Sequence, residues 1–144
     1  MADLEMTRSF VADPATVFRA LSDPAVLIQW WGHEGMTVTA DPLDFSRLGP
    51  WCTKMIGADG ARYKMSGQVT HVTEGQSIGF TWAWHDDADA RGPESHVTFT
   101  VAPDGKGGTL FRLSHVDLPS DDIATAHERG WGSTLARLEA FLSS

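Results

Sequence analysis

A single cysteine, Cys52, stands in the chain, so no disulfide forms within it and cysteine usage does not point to an oxidising compartment. No apolar run approaches the roughly 18 residues that span a bilayer. Basic residues are scarce: 11 Lys and Arg face 19 Asp and Glu, a net charge of −8. The basic residues form no cluster, and phosphate backbones need one, which excludes nucleic acid as a partner. The same charge opposes stable association with anionic membranes, though not the burial of an apolar molecule inside the chain. The opening Met-Ala-Asp-Leu-Glu lacks the basic and apolar regions of a signal peptide, so a cytoplasmic protein is expected. The six histidines show no paired ligand spacing and a lone thiol makes no zinc knuckle, so no metal is expected. Asp86, Asp87 and Asp89 lack the Gly and distal Glu of a calcium loop and read as a solvated hairpin tip. With no Gly-rich phosphate loop or dinucleotide fingerprint, no cofactor is expected. Ser, His and Asp are present, but no nucleophile elbow accompanies them.

What the chain does have is tryptophan, six in 144 residues. Rings of that size serve either core packing or an aromatic-lined cavity. The length fits one core and one domain, residues 1–144. Leu4, Met6 and Phe10 suggest a first strand over residues 3–12. Asp13-Pro14 and Ser22-Asp23-Pro24 each start a short helix, because Asp caps and Pro at the first helical position loses no needed hydrogen bond. Gly32 ends the second. Strand candidates follow at Met36–Ala40, Trp51–Ile56, Tyr63–Val69, Ile78–Trp84, Val97–Val101 and Phe111–His115, several with clean period-two alternation. Asp59-Gly60, Glu74-Gly75 and residues 104–108 mark turns, and the polar segment from Asp86 to Glu94 is expected to be mobile. Residues 120–142 have helical spacing, with Ser120 as cap. Their apolar stripe runs through Ile123, His127, Trp131, Thr134, Leu135, Leu138, Phe141 and Leu142. Consecutive strands make an antiparallel meander, and only this last helix is long enough to cover one face. The expected class is α+β. A curved antiparallel sheet of about seven strands wraps around a long C-terminal helix, with two short helices after the first strand.

Several motifs recur in order along nearly the whole chain. They are Asp23-Pro24, Trp30-Trp31-Gly32, Leu43-Asp44-Phe45 leading to Gly49 and Trp51, Asp59-Gly60 with Tyr63 and Gly67, and Phe80-Thr81-Trp82. Gly108-Thr109 with Leu113 and His115, then Gly130-Trp131 with Leu135 and Leu138, complete the set. With these the chain resembles the bacterial branch of the activator of heat-shock protein 90 ATPase family, in the START-like (SRPBCC) superfamily. The resemblance implies the helix-grip fold and an interior cavity. It implies no single function, because superfamily members include ligand carriers and cyclase- or aromatase-type enzymes. Two positions depart from the family pattern and bear on the pocket rim: His33 where Pro is common, and Pro50 where a second Gly is common.

The expected pocket is formed by Trp31, Met65, Trp82, Trp84, Phe99, Phe111, Leu113, His115, His127, Trp131 and Thr134. His115 is in phase with Phe111 and Leu113, and His127 lies one turn before Trp131, so each reads as a structural histidine, a polar anchor or a general base. Gly130 and Gly132 cost the helix about 1 kcal/mol each relative to Ala, which close packing against the sheet would explain. The leading function is binding of a small, mostly apolar molecule. The alternatives are a cofactor-free cyclase or dehydratase using a pocket histidine, and a chaperone- or protein-interaction module. Homodimerisation stays open.

Overall fold

A computed structural model describes residues 1–33 and 35–143. Strand β1 (Ala2–Phe10) leads into α1 (Pro14–Ser22) and α2 (Pro24–Trp30). Six strands follow: β2 (Thr37–Ala40), β3 (Gly49–Ile56), β4 (Arg62–Thr73), β5 (Ser77–Trp84), β6 (Ser95–Pro103) and β7 (Thr109–Leu118). Helix α3 (Asp121–Leu142) ends the chain.

The helix starts obey local chemistry. The Asp13 carboxylate accepts from the Thr16 N–H at 2.8 Å, and Asp23 does the same for Ala25 at 3.0 Å, each just before a proline. Ser120 accepts from the Ile123 N–H at 3.3 Å, and Asp121 and Asp122 sit in the positive first turn of α3. Helix α2 has no basic residue in its own last turn. Arg137 of α3 serves instead, donating to the carbonyls of Trp31 at 2.9 Å and Gly32 at 3.4 Å.

The sheet is antiparallel throughout, in the order β1-β7-β6-β5-β4-β3-β2. The two edge strands are consecutive in the chain, so α1 and α2 carry the backbone from one edge to the other. Helix α3 packs on β1, β7 and α2 and buries His127, Trp131, Thr134, Leu135 and Leu138. Ile123, read as part of that stripe, is 38% exposed in the first turn of α3.

Central strand β5 is buried on both faces, so its alternation of large and small residues reports the two sides of a sheet rather than core against solvent. Its pairing with β4 opens at Gly67 and Gln68. There the Thr81 carbonyl takes the Trp51 indole N–H at 2.9 Å, and the Thr81 hydroxyl takes the Gln68 N–H at 2.8 Å. A Cβ at Gly67 would fall inside the Thr81 carbonyl oxygen, so glycine is required by space rather than by backbone angle.

The Asp86–Glu94 segment, expected to be mobile, is tied down. Arg91 donates to the Ser66 hydroxyl and carbonyl, both at 3.0 Å, while Asp89 meets Lys64 at 2.8 Å and His85 at 2.9 Å.

Candidate ligand cavity and its histidine pair

The six indoles divide into three pairs by what their N–H groups reach. Trp30 and Trp51 donate to backbone carbonyls, of Ala20 and Thr81, both at 2.9 Å, and so brace the core. Trp84 and Trp131 donate to histidines, the former to Nε2 of His127 and the latter to Nδ1 of His115, both at 3.1 Å. Trp31 and Trp82 are buried with no hydrogen-bond acceptor for their N–H groups. Phe45, Trp51 and Trp131 pack around the Trp31 ring at interplanar angles of 75–81°.

These bonds fix both histidine tautomers, because an indole only donates and the ring nitrogen it meets must be unprotonated. His115 is then protonated on Nε2, which donates to the Ser95 hydroxyl at 2.7 Å, and that hydroxyl donates to the Trp82 carbonyl at 3.3 Å. Both ring nitrogens of His115 are thus engaged. His127 is protonated on Nδ1, which has no partner among the described residues. The two imidazoles pack edge to face with centroids 4.7 Å apart. Burial, with the neighbouring His127 charge adding, lowers the His115 pKa from 6.5 to about 3. Burial, with His33 adding, lowers that of His127 to about 4. Both rings are neutral at pH 7.

A cavity of about 440 Å³ lies between the start of α3 and the β3–β5 side of the sheet. Trp31, Trp82, Trp84, His127, Trp131 and Thr134 line it, as the sequence places them. The four tryptophans are neighbours, with Trp82 standing 5.5–6.1 Å from each of the other three. Five expected lining residues are not there. Met65, Phe99, Phe111, Leu113 and His115 are at most 1% exposed and belong to the packed core, further along the same concave face. Position on the right face is not enough: the cavity occupies only one end of it.

The missed part of the wall comes from elsewhere. Met55 and Tyr63 bring the β3–β4 hairpin over the opening, and Gly32 and His33 follow α2. Ile123 and Ala126 complete the rim on α3. His33, one of the two departures from the family pattern, is therefore on the wall, whereas Pro50 is not. At Gly130 the neighbour is His33 and not the sheet: a Cβ there would sit 2.8 Å from the His33 ring nitrogen. Gly132 has open space around it, and nothing in the structure explains it.

On the opposite face, Ser66, His85 and Asp89 form a relay the sequence does not reveal. The Ser66 hydroxyl meets Nε2 of His85 at 2.7 Å, and Nδ1 of His85 meets Asp89 at 2.9 Å. The connectivity is that of a hydrolase triad. Arg91 lies on the same hydroxyl, and together these bonds hold the loop on β4.

A curved antiparallel sheet gripping a C-terminal helix, with an aromatic cavity at one end, defines a START-like (SRPBCC) protein. Residues 11–143 match the family model described as Activator of Hsp90 ATPase homolog 1-like protein, and the chain belongs to that family. It is similar to the crystal structure of an AHSA1 protein from Silicibacter pomeroyi, with 51% identity and a TM-score of 0.93 over 99% of this chain and 98% of that one. A protein from Chromobacterium violaceum shares the fold at 23% identity and TM-score 0.86, covering 100% and 99% of the two chains. One from Arthrobacter aurescens does so at 21% and 0.85, covering 98% and 86%. No curated protein matches the chain. No helix among the described residues is long and apolar enough to cross a membrane.

Proposed function

We propose that this protein holds a small, mostly apolar molecule in the cavity between its sheet and α3. The observation that carries the reading is the cavity itself, about 440 Å³ and walled by four tryptophans. Ligand sites are commonly ~300–1,000 Å³, apolar, and furnished with few polar groups. An interaction module needs no such space. A pocket-histidine enzyme needs a base that titrates near the working pH. His115, committed at both nitrogens and lowered to about 3, and His127, lowered to about 4, are poor candidates.

The test is titration of tryptophan emission with flavonoids, polycyclic aromatics and fatty acids, against wild type and Thr134→Phe. Thr134 is 4% exposed and faces the cavity from α3, so the new ring fills the space. Wild type should bind at least one class with micromolar Kd, about −8 kcal/mol. Thr134→Phe should keep its fold and lose that binding. If nothing binds below about 1 mM, or if Thr134→Phe binds as well as wild type, the reading fails.

A further inference from the structure

Resting on that reading and narrowing it, we infer that the cavity selects an uncharged aromatic-sized molecule bearing a carbonyl-type acceptor, held by the Nδ1–H of His127, and rejects the matching carboxylate. Three observations carry this.

The first is a donor of fixed direction. Trp84 occupies Nε2 of His127, so the ring's proton is on Nδ1, and Nδ1 has no partner among the described residues. Trp82, Trp84 and His115 hold the imidazole from three sides, with centroids 5.8, 5.7 and 4.7 Å away. The ring cannot turn to offer a lone pair without giving up the Trp84 bond. His127 lines the cavity and is 9% exposed, and with Nε2 taken by Trp84 its Nδ1–H is the donor the ring has left for a molecule that enters.

The second is the absence of charge. Among the described residues lining the cavity there is no Asp, Glu, Lys or Arg. Among these described lining residues the groups that could become cationic are His33 and His127, and burial lowers the pKa of both. A carboxylate entering this wall gives up its hydration and meets no Lys or Arg among the described lining residues, and the nearby Arg137 is taken up by the carbonyls of Trp31 and Gly32, whereas a ketone gives up far less and recovers a hydrogen bond.

The third is size. A cavity of about 440 Å³ falls within the ~300–1,000 Å³ range of small-molecule sites, toward its smaller end, which suits two or three fused rings with a short substituent.

The test uses three matched probes by isothermal titration calorimetry at pH 7.5. They are 2-ethylnaphthalene, with no acceptor, 2-acetylnaphthalene, a neutral ketone, and 2-naphthoate, the anion. Each is titrated into wild type, His127→Phe and Trp84→Phe. In wild type the ketone should bind at least about tenfold tighter than the naphthoate. In His127→Phe the ketone should lose about fivefold relative to the hydrocarbon, the factor expected for one net hydrogen bond, while hydrocarbon affinity stays within about twofold. Trp84→Phe keeps a ring in place but frees the tautomer, and should shift the ketone-to-hydrocarbon ratio the same way by less. Naphthoate binding as tightly as the ketone, or an unchanged ratio in both folded variants, overturns the inference and leaves the apolar-ligand reading standing. If none of the three binds wild type below about 1 mM, both fall together.

Discussion

Acidification from pH 7 to pH 5 should destabilise this protein well before its carboxylates protonate. In the fold His115 and His127 have pKa values lowered from 6.5 to about 3 and about 4, chiefly by burial. The sign follows directly. Below 6.5 the unfolded chain takes up a proton on each imidazole that the folded chain does not, so stability is fully present above that value and is lost as pH falls toward the folded pKa. At pH 5 each ring is still neutral in the fold and about 97% protonated when unfolded, a loss of about 2 kcal/mol apiece and about 4 kcal/mol together. The partners of His115 make the burial specific, since a protonated Nδ1 would confront the Trp131 N–H at 3.1 Å. Exposed carboxylates held below their usual range, such as Asp13 and Asp89, act only below about pH 4, so this window belongs to the imidazoles. Urea denaturation at pH 7 and pH 5 measures the loss, and His127→Phe should remove about half of it. Proton NMR should find the His115 and His127 C2–H signals flat between pH 8 and 5. A urea midpoint that does not move, or either signal titrating near 6.5, would refute the reasoning.

Two further outcomes test the packing. Leu138 is fully buried between α3 and the sheet, and Leu138→Ala should cost about 2–5 kcal/mol in urea denaturation; a loss under about 0.5 kcal/mol would place it on the surface. Gly67→Ala should destabilise by more than the ordinary 1 kcal/mol or so of a point change, because its Cβ must displace the Thr81 backbone that anchors Trp51, and near-wild-type stability would show that the strands separate freely there.

The fold was legible because its signals are local and repeated. Asp-Pro pairs start α1 and α2, period-two runs give the long strands, and the His127–Leu138 stripe gives α3 a face. The site was legible only in part, for a geometric reason. Alternation tells which face of a strand a side chain takes, but not how far along that face a cavity extends. Trp82 and Trp84 stand at the end of β5 that borders the cavity, while Phe99, Phe111 and Leu113, on the same concave face, stand where the core closes. His115 was in phase with the core, and only the tertiary positions of Ser95 and Trp131 determine that both its nitrogens are used. The rim from Met55, Tyr63 and His33 depends on how β3, β4 and the segment after α2 come together around one cavity with α3, which leaves no period in the sequence. One pair of clues was present: a glycine inside a helix at Gly130 and an unusual His33, which the structure shows pressed together. The Ser66–His85–Asp89 relay was invisible because its members come from a strand, a strand end and a turn held at positive φ by Asp89.

The most direct test of the central claim is native mass spectrometry of the protein taken from its own cells, with Thr134→Phe prepared in parallel. Wild type should carry a small apolar molecule as a non-covalent adduct, released by organic solvent, and Thr134→Phe should fly bare. Bare wild type, or the same adduct on both proteins, would contradict a ligand held in this cavity.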